Sequence, residues 1–256
     1  MNKLVVEFPD EHGLSQDSEW CTVTVDGQKR TLRFHEYGAI FSIPGLYEEL
    51  FYRRLKCDSP KTLRTLLEKA LTEHGVAPAS LRGIDLGAGN GMMGEELKAL
   101  GVAAQVGTDI LPEAAMATQR DRPGIYADYV VADLTQPTPE VRQRLTAHQP
   151  NLMVTVAALG FGDIPSMAFV EAWNLIATPG WVVFNIKQEF LDAKYDYGFS
   201  ELVRRLEREN LLKIHHQVSY VHRYALDGRP LPYVGFVGQK KGPIPEAWFP
   251  SIQEKH

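Results

Sequence analysis

The chain changes character near residue 59, where an irregular spacing of apolar residues gives way to a regular one. Ser59 and Pro60 are typical of the beginning of a helix, and Gly75 is typical of its end. Between them, apolar residues recur at i, i+3, i+4, i+7 and i+8, which predicts an amphipathic helix with one buried face. That face comprises Leu63, Leu66, Leu67, Ala70 and Leu71.

Beyond this helix, short apolar runs alternate with stretches of helical periodicity. Such runs are typical of strands that are buried on both faces of a parallel sheet. The strict alternation of strand and helix predicts right-handed crossovers and a doubly wound α/β fold. We expect strands near residues 82–86, 104–109, 126–132, 151–158 and 180–186, and helices near residues 91–100, 112–121, 138–147, 165–177 and 198–210.

The pattern differs at the end of the chain. Residues 212–224 and 233–239 both have the composition of strands, and Asp-Gly-Arg-Pro at residues 227–230 is a turn signal between them. Because no helix fits in this gap, we expect an antiparallel hairpin. The prediction is a mostly parallel seven-stranded sheet ending in that hairpin, over residues 59–242, followed by a tail of residues 243–256.

Residues 1–58 precede the regular pattern and form a separate unit in our prediction. Two alternating runs, residues 21–25 and 29–34, flank Asp26 and Gly27, a pair that is typical of a hairpin turn. An aromatic stretch follows, so we expect a small cap of one hairpin and a helix. The apolar face of that helix comprises Leu46, Leu50, Phe51 and Leu55.

Composition and charge exclude several classes of function. The formal net charge of −5 argues against nucleic-acid binding through phosphate neutralisation. Two cysteines without metal-ligand spacing predict neither a disulfide framework nor a metal site. No apolar run approaches the roughly 20 residues that cross a bilayer, and no signal peptide is recognisable. We therefore expect a cytoplasmic monomer or homodimer that binds neither nucleic acid nor membrane.

The first strand of the sheet leads into a glycine-rich loop, Ile-Asp-Leu-Gly-Ala-Gly-Asn-Gly at residues 84–91. Glycine lets the backbone turn sharply and approach a ligand, and ligands of open α/β sheets bind at such strand ends. Gly89, Gly91 and Gly94 also match the G-x-G-x-x-G spacing of dinucleotide sites. However, that match begins late after the strand, and the Asp85 carboxylate would repel a pyrophosphate but suit an ammonium group.

Residues 84–91 resemble motif I of the class I S-adenosylmethionine (SAM)-dependent methyltransferases, hydrophobic-x-Asp/Glu-x-Gly-x-Gly-x-Gly, with Asp85, Gly87, Gly89 and Gly91 at its acidic and glycine positions. The resemblance extends over residues 60–240 and includes the reversed last strand of that family's seven-stranded sheet. It implies that SAM is the cofactor and S-adenosylhomocysteine (SAH) the product. The loop residues that it implies as cofactor contacts are Asp85, Gly87, Ala88, Gly89 and Gly91.

The family pattern places further cofactor contacts at the ends of the next strands. An acidic residue after the second strand holds both ribose hydroxyls, which implies Asp109 with Ile110 beside it. A polar residue after the third strand contacts the adenine, which implies Asp133 and the Leu134 amide. The fourth strand ends at Ala157, beside the reactive methyl group. The alternative is that Asp109 and Asp133 only cap the helices that follow them.

The ends of the fourth and fifth strands narrow the class of acceptor. Residues 157–160 are Ala-Ala-Leu-Gly, where DNA and protein amide methyltransferases of this class have Asn/Asp/Ser-Pro-Pro-Tyr. Residues 184–187 lack the Asp-Asn pair of metal-dependent catechol-type enzymes, so no magnesium site is expected. What remains resembles the group that acts on small molecules, and we expect Phe161, after the fourth strand, to contact the substrate.

The sequence alone does not identify a catalytic base. The candidates are His35, His215, His216 and His222. Because His215 and His216 are adjacent on a predicted strand, we expect their side chains to point to opposite faces, with at most one of them at the site.

The aromatic residues of the N-terminal cap have two interpretations. In the first, they form a lid over the strand ends that excludes water and faces the sulfonium cation, with Tyr37 and Tyr47 near the acceptor. In the second, they pack on the edge of the sheet or form a subunit contact.

Together these observations predict an enzyme that transfers a methyl group from SAM to an oxygen or nitrogen atom, or a carbon atom, of a small molecule. Two alternatives stay open at this point. One is a non-catalytic protein of the same fold with a regulatory or scaffold role, and the other is a nicotinamide oxidoreductase.

Overall fold

The computed structural model describes residues 4–11, 13–159, 163–191 and 198–252. A three-stranded antiparallel sheet comes first, and a seven-stranded sheet follows. The first sheet contains β1 (Val5–Glu7), β2 (Trp20–Val25) and β3 (Gln28–Arg33). The second contains β4 (Arg82–Leu86), β5 (Ala104–Asp109), β6 (Asp128–Val131), β7 (Leu152–Thr155), β8 (Gly180–Lys187), β9 (Leu212–Tyr224) and β10 (Pro230–Lys240).

The helices occupy the two faces of the larger sheet and the N-terminal part of the chain. The α-helices are α1 (Tyr37–Ser42), α2 (Ser59–Glu73), α3 (Met92–Leu100), α4 (Pro112–Asp121), α5 (Pro139–Thr146), α6 (Ser166–Leu175), α7 (Gly198–Arg208) and α8 (Phe249–Ile252). A π-helix spans Glu48–Arg54, and short 3-10 turns lie at Pro78–Ser80, Gln188–Leu191 and Glu246–Trp248.

The strand order of the larger sheet is β6-β5-β4-β7-β8-β10-β9. Strands β4 to β8 pair in parallel, and β10 pairs antiparallel with both β8 and β9. Apolar side chains of α2 and α3 pack on one face, and those of α5, α6 and α7 pack on the other. The predicted doubly wound sheet with a terminal antiparallel hairpin is therefore confirmed, and its parallel strands end along one common edge.

Strand β10 begins at Pro230, three residues earlier than predicted, because its two prolines are tolerated there. Pairing with β8 starts only at Tyr233, whereas pairing with β9 already starts at Pro230. Pro230 and Pro232 therefore lie where one side of β10 is an open edge, and a missing N–H on that side leaves no ladder bond unmade.

Two other strands are shorter than the sequence predicts. The run near residues 151–158 ends as a strand at Thr155, because Ala157 adopts a left-handed backbone conformation with φ 58°. The run near residues 126–132 begins as a strand only at Asp128. Tyr126, before it, instead turns its side chain toward β4.

The N-terminal segment, residues 4–58 apart from residue 12, contains the predicted hairpin. Asp26 and Gly27 have φ values of 51° and 81°, and β2 and β3 pair on either side of them. Leu46, Leu50, Phe51 and Leu55 are all buried, as predicted, although the helix that carries them is largely a π-helix. The three-residue strand β1 and the short helix α1 have no clear periodic signal in the sequence.

The N-terminal segment is attached to the β9–β10 hairpin by buried polar contacts. Glu19, which is fully buried, accepts a hydrogen bond from Arg223 at 2.6 Å and another from the Leu226 amide at 2.7 Å. The Gln16 amide donates to the Tyr233 hydroxyl at 2.9 Å. These bonds join residues more than 200 positions apart, so they fix the segment against the edge of the fold.

None of the helices in the described ranges combines the length and the apolar character that a membrane crossing requires.

Candidate functional site

Three acidic residues lie at the ends of three neighbouring strands. Asp85 is in β4, Asp109 ends β5, and Asp133 follows β6 by two residues. The glycine loop connects β4 to α3, and Gly87 and Gly89 adopt positive φ values of 71° and 53°. A side chain at either position would therefore be strained, and it would also project toward neighbouring side chains.

A cavity of about 420 Å³, the larger cavity, lies along this edge of the sheet. Its wall contains most of the residues that the sequence predicts for the cofactor and two that it predicts for the acceptor. These are Gly87, Gly89, Asp109, Ile110, Asp133, Leu134, Ala157, Tyr37 and Tyr47.

A cavity of about 70 Å³, the smaller cavity, adjoins the larger one and shares several of its wall residues, including Tyr37, Tyr47 and Ala157. Asp85 and Ala88 line it from the side of the sheet. The structure thus brings together all but one of the predicted residues that it describes. Gly91 is the exception, because a Cβ there would meet the Arg122 and Ile125 side chains at 3.2 Å. Phe161 lies outside the described residues.

Asp109 connects the second strand to the glycine loop. One of its oxygens accepts a hydrogen bond from the Leu111 amide and the other accepts one from the Gly89 amide, each at 3.0 Å. Burial raises the pKa of Asp109 above its ordinary value, while these amide bonds lower it. The bond to Leu111 closes a turn before α4, whose N-cap residue is Leu111 and which has no side-chain cap, so the alternative that Asp109 only caps this helix is wrong. The bond to Gly89 fixes the loop against the cavity wall.

Asp133 lies at the other end of the larger cavity and is exposed. Its Oδ1 accepts hydrogen bonds from the Thr135 amide at 2.8 Å and from the Thr135 hydroxyl at 2.7 Å. These bonds hold the pKa of Asp133 below its ordinary value. The carboxylate is therefore charged at neutral pH and is fixed in orientation beside Leu134.

Asp85 is a buried carboxyl group in the wall of the smaller cavity. Burial raises its pKa to about 7, while a hydrogen bond from the Tyr126 hydroxyl, at 2.6 Å, acts in the opposite direction. The Tyr126 ring fits beside Gly94 and Gly107, where a Cβ would lie 2.7 Å and 3.0 Å from ring atoms. Gly94, the last glycine of the dinucleotide-like spacing, is thus explained by the Tyr126 ring.

A buried polar network that the sequence analysis does not predict holds the chain just after β7. The Asn185 side chain accepts a hydrogen bond from the Ala157 amide at 2.6 Å and donates to the Tyr220 hydroxyl at 2.7 Å. Ser59 contacts the Tyr220 hydroxyl and His222 Nδ1, each at 2.7 Å. A polar Asn185 inside an otherwise apolar strand was the only available signal.

The four histidines that the sequence offers as bases separate into two pairs. His35 and His222 line the smaller cavity. His215 contacts His74 in a T-shaped arrangement with ring centroids 4.1 Å apart, and His216 contacts Glu73 at 2.7 Å. The expectation that His215 and His216 point to opposite faces is wrong, because a β-bulge interrupts their register and both contact the end of α2.

Aromatic side chains of the N-terminal segment lie against the glycine loop. A Cβ on Gly89 would lie 3.1 Å from the Phe41 ring, and the Phe41 and Tyr47 ring centroids are 4.9 Å apart. Glu48 accepts hydrogen bonds from the side-chain amide of Asn90 and from Arg122, each at 2.8 Å. The segment is therefore tied to the loop by both apolar and charged contacts.

Within the described ranges, His, Cys, Asp and Glu side chains form no group of three that could hold a metal ion.

No protein-family model and no curated protein matches this sequence, so the comparison rests on solved structures. The N-methyltransferase NodS from Bradyrhizobium japonicum WM9, in complex with SAH, aligns with a TM-score of 0.53 and 13% identity, over 82% of this chain and 98% of that chain. A SAM-dependent methyltransferase from Clostridium acetobutylicum ATCC 824 aligns with a TM-score of 0.50 and 10% identity, over 77% and 97%. The strand order and these alignments show that the chain has the fold of the class I SAM-dependent methyltransferases.

Proposed function

We propose that this protein binds SAM along the carboxyl edge of its large sheet and transfers the methyl group to an oxygen or nitrogen atom of a small molecule. One observation carries the proposal. The carboxylates Asp85, Asp109 and Asp133 lie at the carboxyl ends of three neighbouring strands and line two adjoining cavities. They are spaced along the cavities in the order in which an amino acid, a ribose and an adenine follow one another in SAM.

The smaller cavity fits the amino-acid end of SAM. Asp85 supplies a carboxylate there, and Asn90 Oδ1 is a buried acceptor without a hydrogen-bond partner in the described structure. A buried acceptor that lacks a partner is costly, and an ammonium donor would remove that cost. We infer that Asp85 and Asn90 hold the ammonium group.

The larger cavity fits the nucleoside. Asp109 is fixed by two backbone amides, and a carboxylate has capacity for about four hydrogen bonds in total, so a ribose diol is a suitable further donor. We assign the Ile110 side chain to a face of the adenine ring and the Leu134 backbone amide to the edge of the ring. We assign Asp133 to the adenine amino group. Gly87, Ala88 and Gly89 form the part of the cavity wall that the loop contributes. Gly91 packs against Arg122 and Ile125 on the other side of the loop.

SAM supplies a methyl carbon that its sulfonium already activates, so the chain must mainly position the acceptor and exclude water. Asn185 serves this purpose by holding Ala157 at the junction of the two cavities. The N-terminal segment serves it as a lid, with Tyr37 and Tyr47 in both cavity walls. Because side chains of that segment lie over the junction of the two cavities, a small acceptor can approach the methyl group there more easily than a polymer.

The two alternatives are weaker on specific grounds. A nicotinamide dinucleotide would bring a pyrophosphate against Asp85, and Gly94 has a structural explanation in the Tyr126 ring. A non-catalytic role shares the cofactor site with the proposal, but it gives no purpose to the aromatic side chains that the N-terminal segment places in both cavity walls.

Calorimetric titration and a turnover assay test the proposal together. We expect SAH to bind with a dissociation constant in the micromolar range or below, and NAD to show no binding under the same conditions. We then expect transfer of labelled methyl from SAM to at least one member of a panel of small alcohols, phenols and amines. Binding of NAD in place of SAH, or transfer only to RNA or protein, would contradict the proposal.

A further inference from the structure

His35 and Asp163 form a pair at the point where the two cavities meet. His35 follows β3 in the N-terminal segment, and Asp163 precedes α6. Nδ1 of His35 lies 3.4 Å from Oδ1 of Asp163, and about a quarter of each side chain is exposed. His35 lines the smaller cavity, whereas Asp163 lines both. The pair therefore lies where the amino-acid end of the cofactor meets its nucleoside in the proposed arrangement, which is the position of the sulfonium and its methyl group.

The other histidine of the smaller cavity is unsuited to accept a proton. His222 is buried, and its Nδ1 contacts Ser59 as part of the network that holds Ala157. Burial, with a smaller contribution from Arg223, lowers the pKa of His222 to about 3. A base this weak takes up almost no proton near neutral pH. His222 thus has a structural role, and His35 is the only one of the four candidate histidines that combines access to the cavity with a carboxylate partner.

We propose that His35 is the catalytic base, with Asp163 as its positioning residue, and that the acceptor is a molecule whose nucleophile carries a proton, either a hydroxyl or an ammonium group. This inference rests on the proposed function and goes beyond it. An imidazole whose Nδ1 donates to a carboxylate is fixed in the tautomer with a basic Nε2, and the carboxylate stabilises the cation that forms on protonation.

The proton and electron balance of the step is complete with the groups named. An ammonium acceptor must give up its proton first, which frees the nitrogen electron pair, whereas a hydroxyl loses its proton as the new bond forms. The electron pair of the oxygen or nitrogen then forms a bond to the methyl carbon, and the bond between that carbon and the cofactor sulfur breaks with its pair left on sulfur. The acceptor proton passes to Nε2 of His35 and then to solvent. The enzyme returns to its starting state after SAH and the product dissociate.

The charged groups that face His35 have opposing effects. The hydrogen bond to Asp163 is the main cause that raises the pKa of His35, and the charges of Asp163 and Asp17 add to it. Burial and Arg223 lower it, and the net pKa lies above the ordinary histidine value. The Tyr37 ring also contacts the His35 ring edge, with centroids 5.7 Å apart. Because the neutral ring is the active form, turnover must fall as the pH drops through this raised pKa.

The test compares His35→Gln and Asp163→Asn with a matched control, His216→Gln. His216 also pairs with a carboxylate, Glu73, but it lies at the end of α2 and lines neither cavity in the described structure. Glutamine keeps a hydrogen-bonding side chain at position 35 but cannot take a proton at neutral pH. The variant therefore distinguishes a catalytic base from a residue that only holds the N-terminal segment in place.

We expect His35→Gln to lower kcat by about 100-fold or more, the usual contribution of a general base, and to remove the acid limb of the pH profile. SAH affinity, measured by calorimetry, should stay within about threefold of wild type, as should kcat in His216→Gln. In Asp163→Asn, NMR titration of the SAH-bound protein should show a lowered His35 pKa, and the acid limb should move to lower pH with it. Turnover with phenols only, or with amines only, identifies which proton-bearing nucleophile is the natural class.

Each other outcome contradicts a specific statement. If His35→Gln retains wild-type turnover and an unchanged pH profile, the assignment of the base is overturned and the proposed function still stands. Turnover confined to acceptors that carry no proton overturns it as well. An Asp163→Asn variant with an unaltered His35 pKa overturns the pairing, and a wild type that binds SAH but methylates nothing in the panel overturns the proposed function itself.

Discussion

The two sides of the cavities come from parts of the chain with different organisation. The sheet side, residues 82–135, consists of regular strands whose ends present one carboxylate each. The other side, the N-terminal segment, consists of short and irregular elements that deliver aromatic rings and His35. Under the proposed function, the sheet side holds the cofactor and the N-terminal side contacts the acceptor.

This difference also separates the forces that hold each side. The glycine loop is fixed by two hydrogen bonds: the Gly89 backbone amide donates to Asp109, and the Tyr126 hydroxyl donates to Asp85. The N-terminal segment is fixed by its own apolar cluster and by a few charged contacts, at Glu19 and Glu48. Changes to the segment should thus alter stability and turnover, and changes to the loop should alter cofactor affinity. The following variants can break or sharpen that separation.

The largest effect should come from Glu19→Ala. Glu19 and Arg223 form an ion pair with side chains 0% and 4% exposed, so removal of Glu19 leaves a buried, unpaired guanidinium. We expect the free energy of unfolding to fall by about 3–5 kcal/mol. Chemical denaturation monitored by circular dichroism measures it. Glu171→Ala removes an exposed pair with Arg142 and should cost less than about 1 kcal/mol, so equal losses in the two variants would contradict the account.

Gly89→Val should abolish cofactor binding in a protein that still folds. Valine at φ 53° is strained, and its side chain would project toward Phe41 and the larger cavity. We expect SAH affinity to fall at least about 100-fold, equivalent to about 2.7 kcal/mol. Gly228→Val is the control, because Gly228 also has a positive φ but lies in the β9–β10 turn with open space around it. Loss of SAH binding in both variants would trace the effect to strain alone.

Tyr126→Phe should shift the pH dependence of cofactor affinity. The pKa of Asp85 is about 7, and only its carboxylate form pairs with an ammonium, so wild-type SAH affinity should fall by about tenfold per unit below pH 7. Loss of the Tyr126 hydroxyl removes a bond that lowers this pKa, which therefore rises. We expect the variant to bind several-fold more weakly at pH 7 and to approach wild type by pH 8. An unshifted profile in calorimetric titrations would contradict the role of Asp85.

The smallest effects should come from Tyr37→Phe and Tyr47→Phe. Both rings stay in the cavity walls, and only the hydroxyl groups are lost. If the N-terminal segment completes the acceptor site, kcat with an active acceptor should fall several-fold while SAM affinity stays within about twofold. Steady-state kinetics beside calorimetry separates the two. A loss of SAM affinity without a change in kcat would place the tyrosines at the cofactor instead.

The sequence predicted those parts of the molecule that follow from local periodicity. Asp85, Asp109 and Asp133 were recognisable because each follows an apolar run, and parallel strands end at one edge. The Asp26–Gly27 hairpin was recognisable because those two residues suit its turn. The boundaries of β6 and β7 were less accurate, since alternation alone does not show where a chain leaves the sheet.

The sequence could not predict contacts between distant residues. Tyr126 reaches Asp85 across 41 positions, and Asn185 reaches Ala157 across 28. Neither partner carries a signal of the pairing in its own neighbourhood. The predicted direction of the His215 side chain is wrong because a β-bulge, which depends on the register with β10, changes that direction. The same limit applied to His35, whose partner Asp163 lies 128 positions away.

The affinity of Asp109→Ala for SAH tests the central claim most directly. Asp109 lines the larger cavity, and the account assigns it the ribose. Asp128→Ala is the control, because Asp128 begins β6, the strand next to β5, and pairs with Arg144 outside both described cavities. We predict that calorimetric titration detects no SAH binding to Asp109→Ala and wild-type affinity in Asp128→Ala. Near-wild-type affinity in Asp109→Ala would contradict the claim that SAM binds along these strand ends.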